Sequence, residues 1–184
     1  MRKSGAVSSP EKSRKRTEPS LLDAAAKAQV RLFGPDDLEG ILEIQNASRA
    51  ISAWRVCDYE RLAADPQGLI LVAESEARML PEIVGFSVFY RMDKESELWN
   101  IAVQPAHRRQ SIARALLVEA CKRLAESGVQ RLFLEVRESN LPAAELYYSF
   151  GFELLGRRKE YYVNPKEDAL VLVHKLIRPG IRKA

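Results

Sequence analysis

Apolar positions change their period several times along this chain. Near the start, Gln29 to Phe33 reads as a short strand. It leads through Gly34 and Pro35 into a helix, where Leu38, Ile41, Leu42 and Ile44 recur at helical spacing. A second helical patch follows Trp54. Three β-rich runs come next, Leu69 to Ala73, Ile83 to Tyr90 and Leu98 to Val103, with Pro81 and the charged stretch Asp93 to Glu97 as turns between them. Three consecutive strands predict an antiparallel meander.

Beyond Pro105 the period becomes that of a helix. Ile112, Leu116, Ala120 and Leu124 stand four apart, with Ala113, Leu117 and Cys121 beside them, and Gly128 suits the position just past the helix end. Arg131 to Val136 is then a strand with Leu132, Leu134 and Val136 on one face and Phe133 and Glu135 on the other. Strand, helix, strand at this length predicts a crossover between parallel neighbours. Pro142 opens another short helix, Gly151 ends it, and Phe152 to Gly156 and Ala169 to His174 supply the last strands. The expected fold is a mixed α/β sheet, antiparallel strands followed by a β-α-β crossover.

The length, 184 residues, suits one domain, and no apolar run approaches the roughly 20 residues that cross a bilayer. Cys57 and Cys121 form no CxxC pair and have no neighbouring histidine, so neither a disulfide framework nor a metal site is expected, and a cytoplasmic home fits. The net charge of +4 hides a division: residues 1–20 hold six Lys/Arg against two Glu, residues 175–184 hold four Lys/Arg and no acid, and the body between is net −4. That distribution argues against a large nucleic-acid footprint on the body, while leaving the two basic ends open to weak RNA contact. We expect a disordered basic tail over 1–27, one domain over 28–177 and a basic C-terminal tail over 178–184.

Three features carry candidate chemistry. In IAVQPAHRRQSIARALL, residues 101–117, a strand ends, a basic turn follows, and a helix begins with free backbone N–H groups that suit an anion. A solvated basic turn explains that segment equally well. Glu135 stands in an otherwise apolar strand, where a carboxylate is costly unless it is hydrated, paired or used; Arg137, two residues on, is a possible partner. Tyr147 is either core or a hydroxyl aimed at the site.

Taken together, NIAVQPAHRRQSIARALL, LFLEVRESNLPAAELYYSFGF and RRKEYYVNPKEDALVL resemble the acetyl-CoA-binding core of the GCN5-related N-acetyltransferase superfamily, and within it the bacterial ribosomal-protein alanine N-acetyltransferases. The resemblance implies an acetyl-CoA-dependent N-acetyltransferase that needs no metal. It places the pantetheine arm along Ile101, Ala102 and Val103, the pyrophosphate at Arg109, Gln110, Ser111, Ile112, Ala113 and Arg114, and a further cofactor contact at Asn140. Glu135 would be the general base and Tyr147 the general acid. The acceptor would be a protein N-terminus, that of a basic ribosomal protein, entering a groove between the loop near Trp54 and the segment of Tyr161 and Tyr162. Those two tyrosines alternate, so one of them is expected to face the groove. The acting form is expected to be a monomer or weak dimer, without membrane or specific nucleic-acid partners. One departure stands out: Ser111 occupies the place of the phosphate loop's first glycine, leaving open a strained left-handed residue or an ordinary helical start. A small amine, polyamine or lysine acceptor, or a non-catalytic acyl-CoA-binding module, are the alternatives. His174 is expected to be a packed or edge residue.

Overall fold

The computed structural model describes residues 28–48, 53–75 and 82–176; the expected tails at 1–27 and 178–184 lie outside them. The chain runs β1 (Ala28–Leu32), α1 (Leu38–Asn46), α2 (Val56–Ala64), β2 (Gly68–Ser75), β3 (Glu82–Met92), β4 (Glu95–Val103), α3 (Ile112–Glu126), β5 (Arg131–Arg137), α4 (Leu141–Phe150), β6 (Glu153–Val163) and β7 (Lys166–Lys175). Among the described residues seven strands form one sheet in the order β1-β2-β3-β4-β5-β7-β6. All neighbours are antiparallel except β4 and β5, the parallel pair joined by α3. The expected meander and crossover are both present.

Each face of the sheet has its own core. On one, Leu116, Leu117, Ala120 and Leu124 of α3 pack on Leu71, Phe89, Leu132, Leu134, Val136 and Leu172. On the other, Ile41 and Ile44 of α1 and Tyr59 and Leu62 of α2 cover Ile70, Val72, Phe86 and Val88. Each Leu- or Ile-sized side chain withdrawn from water contributes about 1.5–3 kcal/mol, and the four-residue spacing in α3 is what gives that helix one continuous stripe to bury. Gly85 lets the helix start lie close on β3, because a Cβ there would sit 3.1 Å from Ile112 and 3.2 Å from the Ala102 carbonyl.

Three sequence-based boundaries need correction by three residues or more. The turn expected over Asp93 to Glu97 is confined to Asp93 and Lys94, and β4 already begins at Glu95, where Ser96 is buried and its hydroxyl donates to the Tyr90 carbonyl at 2.9 Å. The strand expected to end at Gly156 continues to Val163 as β6, and β7 begins at Lys166 rather than Ala169. Exposed residues fill β6, so its sequence lacks the apolar alternation that marks a half-buried strand.

Candidate active site

The parallel pair is short. β4 and β5 are hydrogen-bonded only from Glu95↔Arg131 to Leu98↔Leu134, and then they part. At the parting point Val88 pairs with Asn100 while Phe89 pairs with Leu98, which makes Trp99 an extra, bulged residue in β4. A bulge bends its strand and increases the local twist. Beyond it Asn100 to Val103 stay paired to β3, while Glu135 to Arg137 stay paired to β7. The edge of β4 that faces β5 is therefore left open, a template for a ligand that carries amides. A cleft of about 1150 Å³ occupies the opening.

One end of the cleft is cationic. The first amides of α3 have no acceptor within the helix, and His107, Arg108, Arg109 and Arg114 stand around them. Arg108 Nε donates to the Val103 carbonyl at 3.2 Å, tying the turn to the strand end. The Arg114 guanidinium lies 5.3 Å from the centroid of the Phe150 ring. Ser111 is the N-cap of α3 and adopts φ 61°, ψ 11°, so the strained alternative is the one realised; Arg109 shares it at φ 62°. A left-handed residue bearing a Cβ costs roughly 1–2 kcal/mol. Ser111→Gly is expected to raise stability by about 1 kcal/mol, a gain of roughly 2–4 °C in melting temperature; an unchanged or lower melting temperature would show that the serine is held there by compensating contacts.

Glu135 opens onto the cleft with its side chain 12% exposed. Its neighbours Leu134 and Val136 belong to the core under α3, so the carboxylate lies on the opposite face, that of α1 and α2. Arg137 is not its partner. That guanidinium stacks 4.0 Å over the Tyr162 ring and donates to Glu167 at 3.2 Å and to the Asn164 carbonyl at 3.1 Å. Glu135 is held instead from β6, by Arg158 Nη1 at 2.7 Å and by the Tyr161 hydroxyl. The hydrogen bond to Glu135, followed by burial and the carboxylate's charge, pushes the Tyr161 phenol up to about 12.

A second bulge makes this possible. Arg158 pairs with Ala169 and Tyr162 with Glu167, so three residues of β6 face Asp168 alone; Glu160 takes φ 53° and its amide donates to Asp168 at 2.8 Å. Strict alternation is thereby broken. Tyr162 lines the cleft and Tyr161 still reaches Glu135, where simple alternation allowed one of the two.

Tyr147 comes from α4 on the other face. It is 5% exposed, its ring meets Phe152 edge-on at 5.5 Å, and it lines the same cleft. Burial, with a smaller contribution from Tyr162, pushes its phenol far above the ordinary value. It therefore keeps its proton at neutral pH. Asn140 caps α4, accepting from the Ala143 amide at 3.4 Å, and faces the cleft as well.

Of the residues singled out in the sequence, Ile101, Ala102, Val103, Arg109, Ser111, Ile112, Ala113, Arg114, Glu135, Asn140 and Tyr147 all line this cleft. Gln110 does not; its side chain turns back to the Ala106 carbonyl at 3.4 Å. Trp54 lies outside too, half-buried against Tyr59 and Trp99 and bonded through its backbone to Gln45. The segment after α1 reaches the cleft through Ala47 and Ser48 instead, and the buried Ser48 hydroxyl has no hydrogen-bond partner among the described residues. His174 is packed as expected, with Nδ1 2.9 Å from the Gly151 carbonyl and its ring against Phe150 and Phe152. Among the described residues no group of His, Cys, Asp and Glu could hold a metal ion, and no helix is long and apolar enough to cross a membrane.

The sheet is opened beside its parallel pair, and the cleft there brings together a free strand edge, a cationic helix mouth, a carboxylate and a phenol. Residues 38–152 match the Acetyltransferase (GNAT) family, and the chain belongs to it as an N-acetyltransferase. It is 35% identical over 147 residues to a Bacillus subtilis (strain 168) protein named as a candidate ribosomal protein bS18 alanine N-acetyltransferase, covering 79% of this chain and 94% of that one. It is 34% identical over 140 residues to the ribosomal protein bS18 alanine N-acetyltransferase of Haemophilus influenzae, covering 66% and 95%. The crystal structure of the Escherichia coli ribosomal-protein-S18-alanine N-acetyltransferase superposes with a TM-score of 0.72 at 27% identity, covering 85% of this chain and 99% of that one.

Proposed function

We propose that this enzyme acetylates the α-amine of an alanine-initiated protein N-terminus, that of small-subunit ribosomal protein bS18, in the cytoplasm. The observation that carries the reading is the position of Glu135: it faces the cleft from the side of the α1–α2 segment, across the sheet opening from α3. Family membership implies acetyl-CoA as cosubstrate, and the residues present suit it. The open edge at Ile101 to Val103 fits an amide-bearing arm, and the first amides of α3 with Arg109 and Arg114 fit a diphosphate. When bound, the cosubstrate supplies an acetyl thioester, an already activated donor.

The protein supplies proton handling and placement. An α-amine has a pKa near 8, so most of it is protonated at pH 7 and lacks the lone pair for attack. Glu135 takes that proton, directly or through one water. The freed amine attacks the acetyl carbon, the carbon–sulfur bond breaks, and Tyr147, neutral because it is buried, gives its phenolic proton to the departing sulfur, while the proton shed by the new amide nitrogen passes through solvent to restore the phenol. Neither cysteine takes part. The net −4 body favours a basic acceptor segment.

Incubation of an alanine-initiated bS18 peptide with acetyl-CoA and this enzyme is expected to add one acetyl group at the N-terminus, read by intact-mass and fragment mass spectrometry. Acetylation confined to lysine side chains or to small amines would overturn the proposal.

A further inference from the structure

A cation already stands at the carboxylate that an incoming ammonium must reach. Arg158 Nη1 sits 2.7 Å from Glu135, the residue read above as the base, and the inference rests on that reading. The two partners are unequal. The Glu135 side chain is 12% exposed and that of Arg158 is 59% exposed, reaching in from β6, an edge strand of the sheet. Arg158 also stands at the start of the β6 bulge, with its guanidinium 5.5 Å from the centroid of the Tyr161 ring. Arg137 cannot serve as a substitute, being engaged by Tyr162, Glu167 and the carbonyls of Asn164 and Pro165. An ion pair with one partner largely in water is weak and readily exchanged.

We propose that Arg158 is a removable stand-in for the acceptor's α-ammonium: it holds Glu135 while the groove is empty and moves off toward solvent when the charged N-terminus arrives. A carboxylate can accept from more than one donor, but a second cation brought against Glu135 is repelled by the guanidinium already on its Oε1, so binding of the acceptor favours exchange of one for the other. The partly buried carboxylate is then never left without a positive partner. Arg158 is in this sense a positioning residue that opposes acceptor binding and keeps the base in place.

Steady-state kinetics with the bS18 peptide at saturating acetyl-CoA test this. In Arg158→Gln the KM for the peptide is expected to fall about two- to fivefold, the worth of an exposed pair, with a smaller change in kcat. Arg158→Lys, which restores a cation, is expected to return KM toward the original value. Removing a positive charge also favours any basic peptide, so the same change is made beside Glu135→Gln, with peptide Kd measured calorimetrically on the CoA-loaded enzyme. There it should have little effect. An unchanged or raised KM in Arg158→Gln, or an equal gain in the Glu135→Gln background, would overturn the exchange while leaving the acetyltransferase reading intact. Failure of the unsubstituted enzyme to acetylate the peptide would overturn both.

Discussion

Glu135→Gln is expected to lower kcat for an alanine-initiated peptide by about 10²–10⁴, the usual contribution of a positioned base. Glutamine has nearly the same shape and its amide oxygen still accepts from Tyr161, so folding should survive the loss of the Arg158 ion pair. CoA affinity should also survive, because the carboxylate lies across the sheet from α3 and its cationic turn. The loss should depend on pH. Near pH 7 the acceptor is mostly ammonium and needs a base, whereas above about pH 8 the free amine becomes the major form and the variant recovers part of its rate. A pH series of kcat/KM on both proteins checks this, and a variant that turns over at the unsubstituted rate at pH 7 would remove Glu135 from the mechanism.

Tyr147→Phe is expected to lower kcat by about 10²–10³ through loss of the proton donated to the leaving sulfur. Phenylalanine keeps the edge contact with Phe152, and the position is core, so the melting temperature should barely move. The sign of the pH effect follows from the direction of the shift. Burial and the neighbouring Tyr162 raise the phenol, so the acid form persists above pH 10, where an ordinary tyrosine ionises. Activity of the unsubstituted enzyme should show no loss from this group on the alkaline side up to that pH. Single-turnover acetylation followed by thiol release measures the step directly, and full activity in Tyr147→Phe would assign the proton to another donor.

Much of this site was legible in the residues before any coordinates, and the reasons are physical. The four-residue spacing in α3, the apolar runs of β2 to β4 and the parity of Leu132, Leu134 and Val136 against Glu135 are local patterns tied directly to burial. Their faces came out as expected. What escaped depends on backbone irregularity. The bulge at Trp99 that parts β4 from β5 has no glycine or proline to announce it, and the β6 bulge places a glutamate at positive φ. Without that second bulge Arg158 and Tyr161 could not be assigned to Glu135, and Arg137, nearer in sequence, looked the better partner. Ser111 was legible as a departure but not as a conformation, since a serine carries no sign of which basin it adopts. Asn100, a buried polar residue in the run LWNIAV, is the sequence signal for the cleft wall.

The interrupted β4–β5 ladder has a mechanical consequence. Four strands lie on one flank and three on the other, and the rungs that join them directly run only from Glu95 to Leu98 on one strand and from Arg131 to Leu134 on the other. Past that seam the flanks communicate through the α3 core rather than through backbone. A ligand that pairs with the free edge of β4 would stand in for the missing rungs, so its binding is expected to raise the melting temperature of the domain.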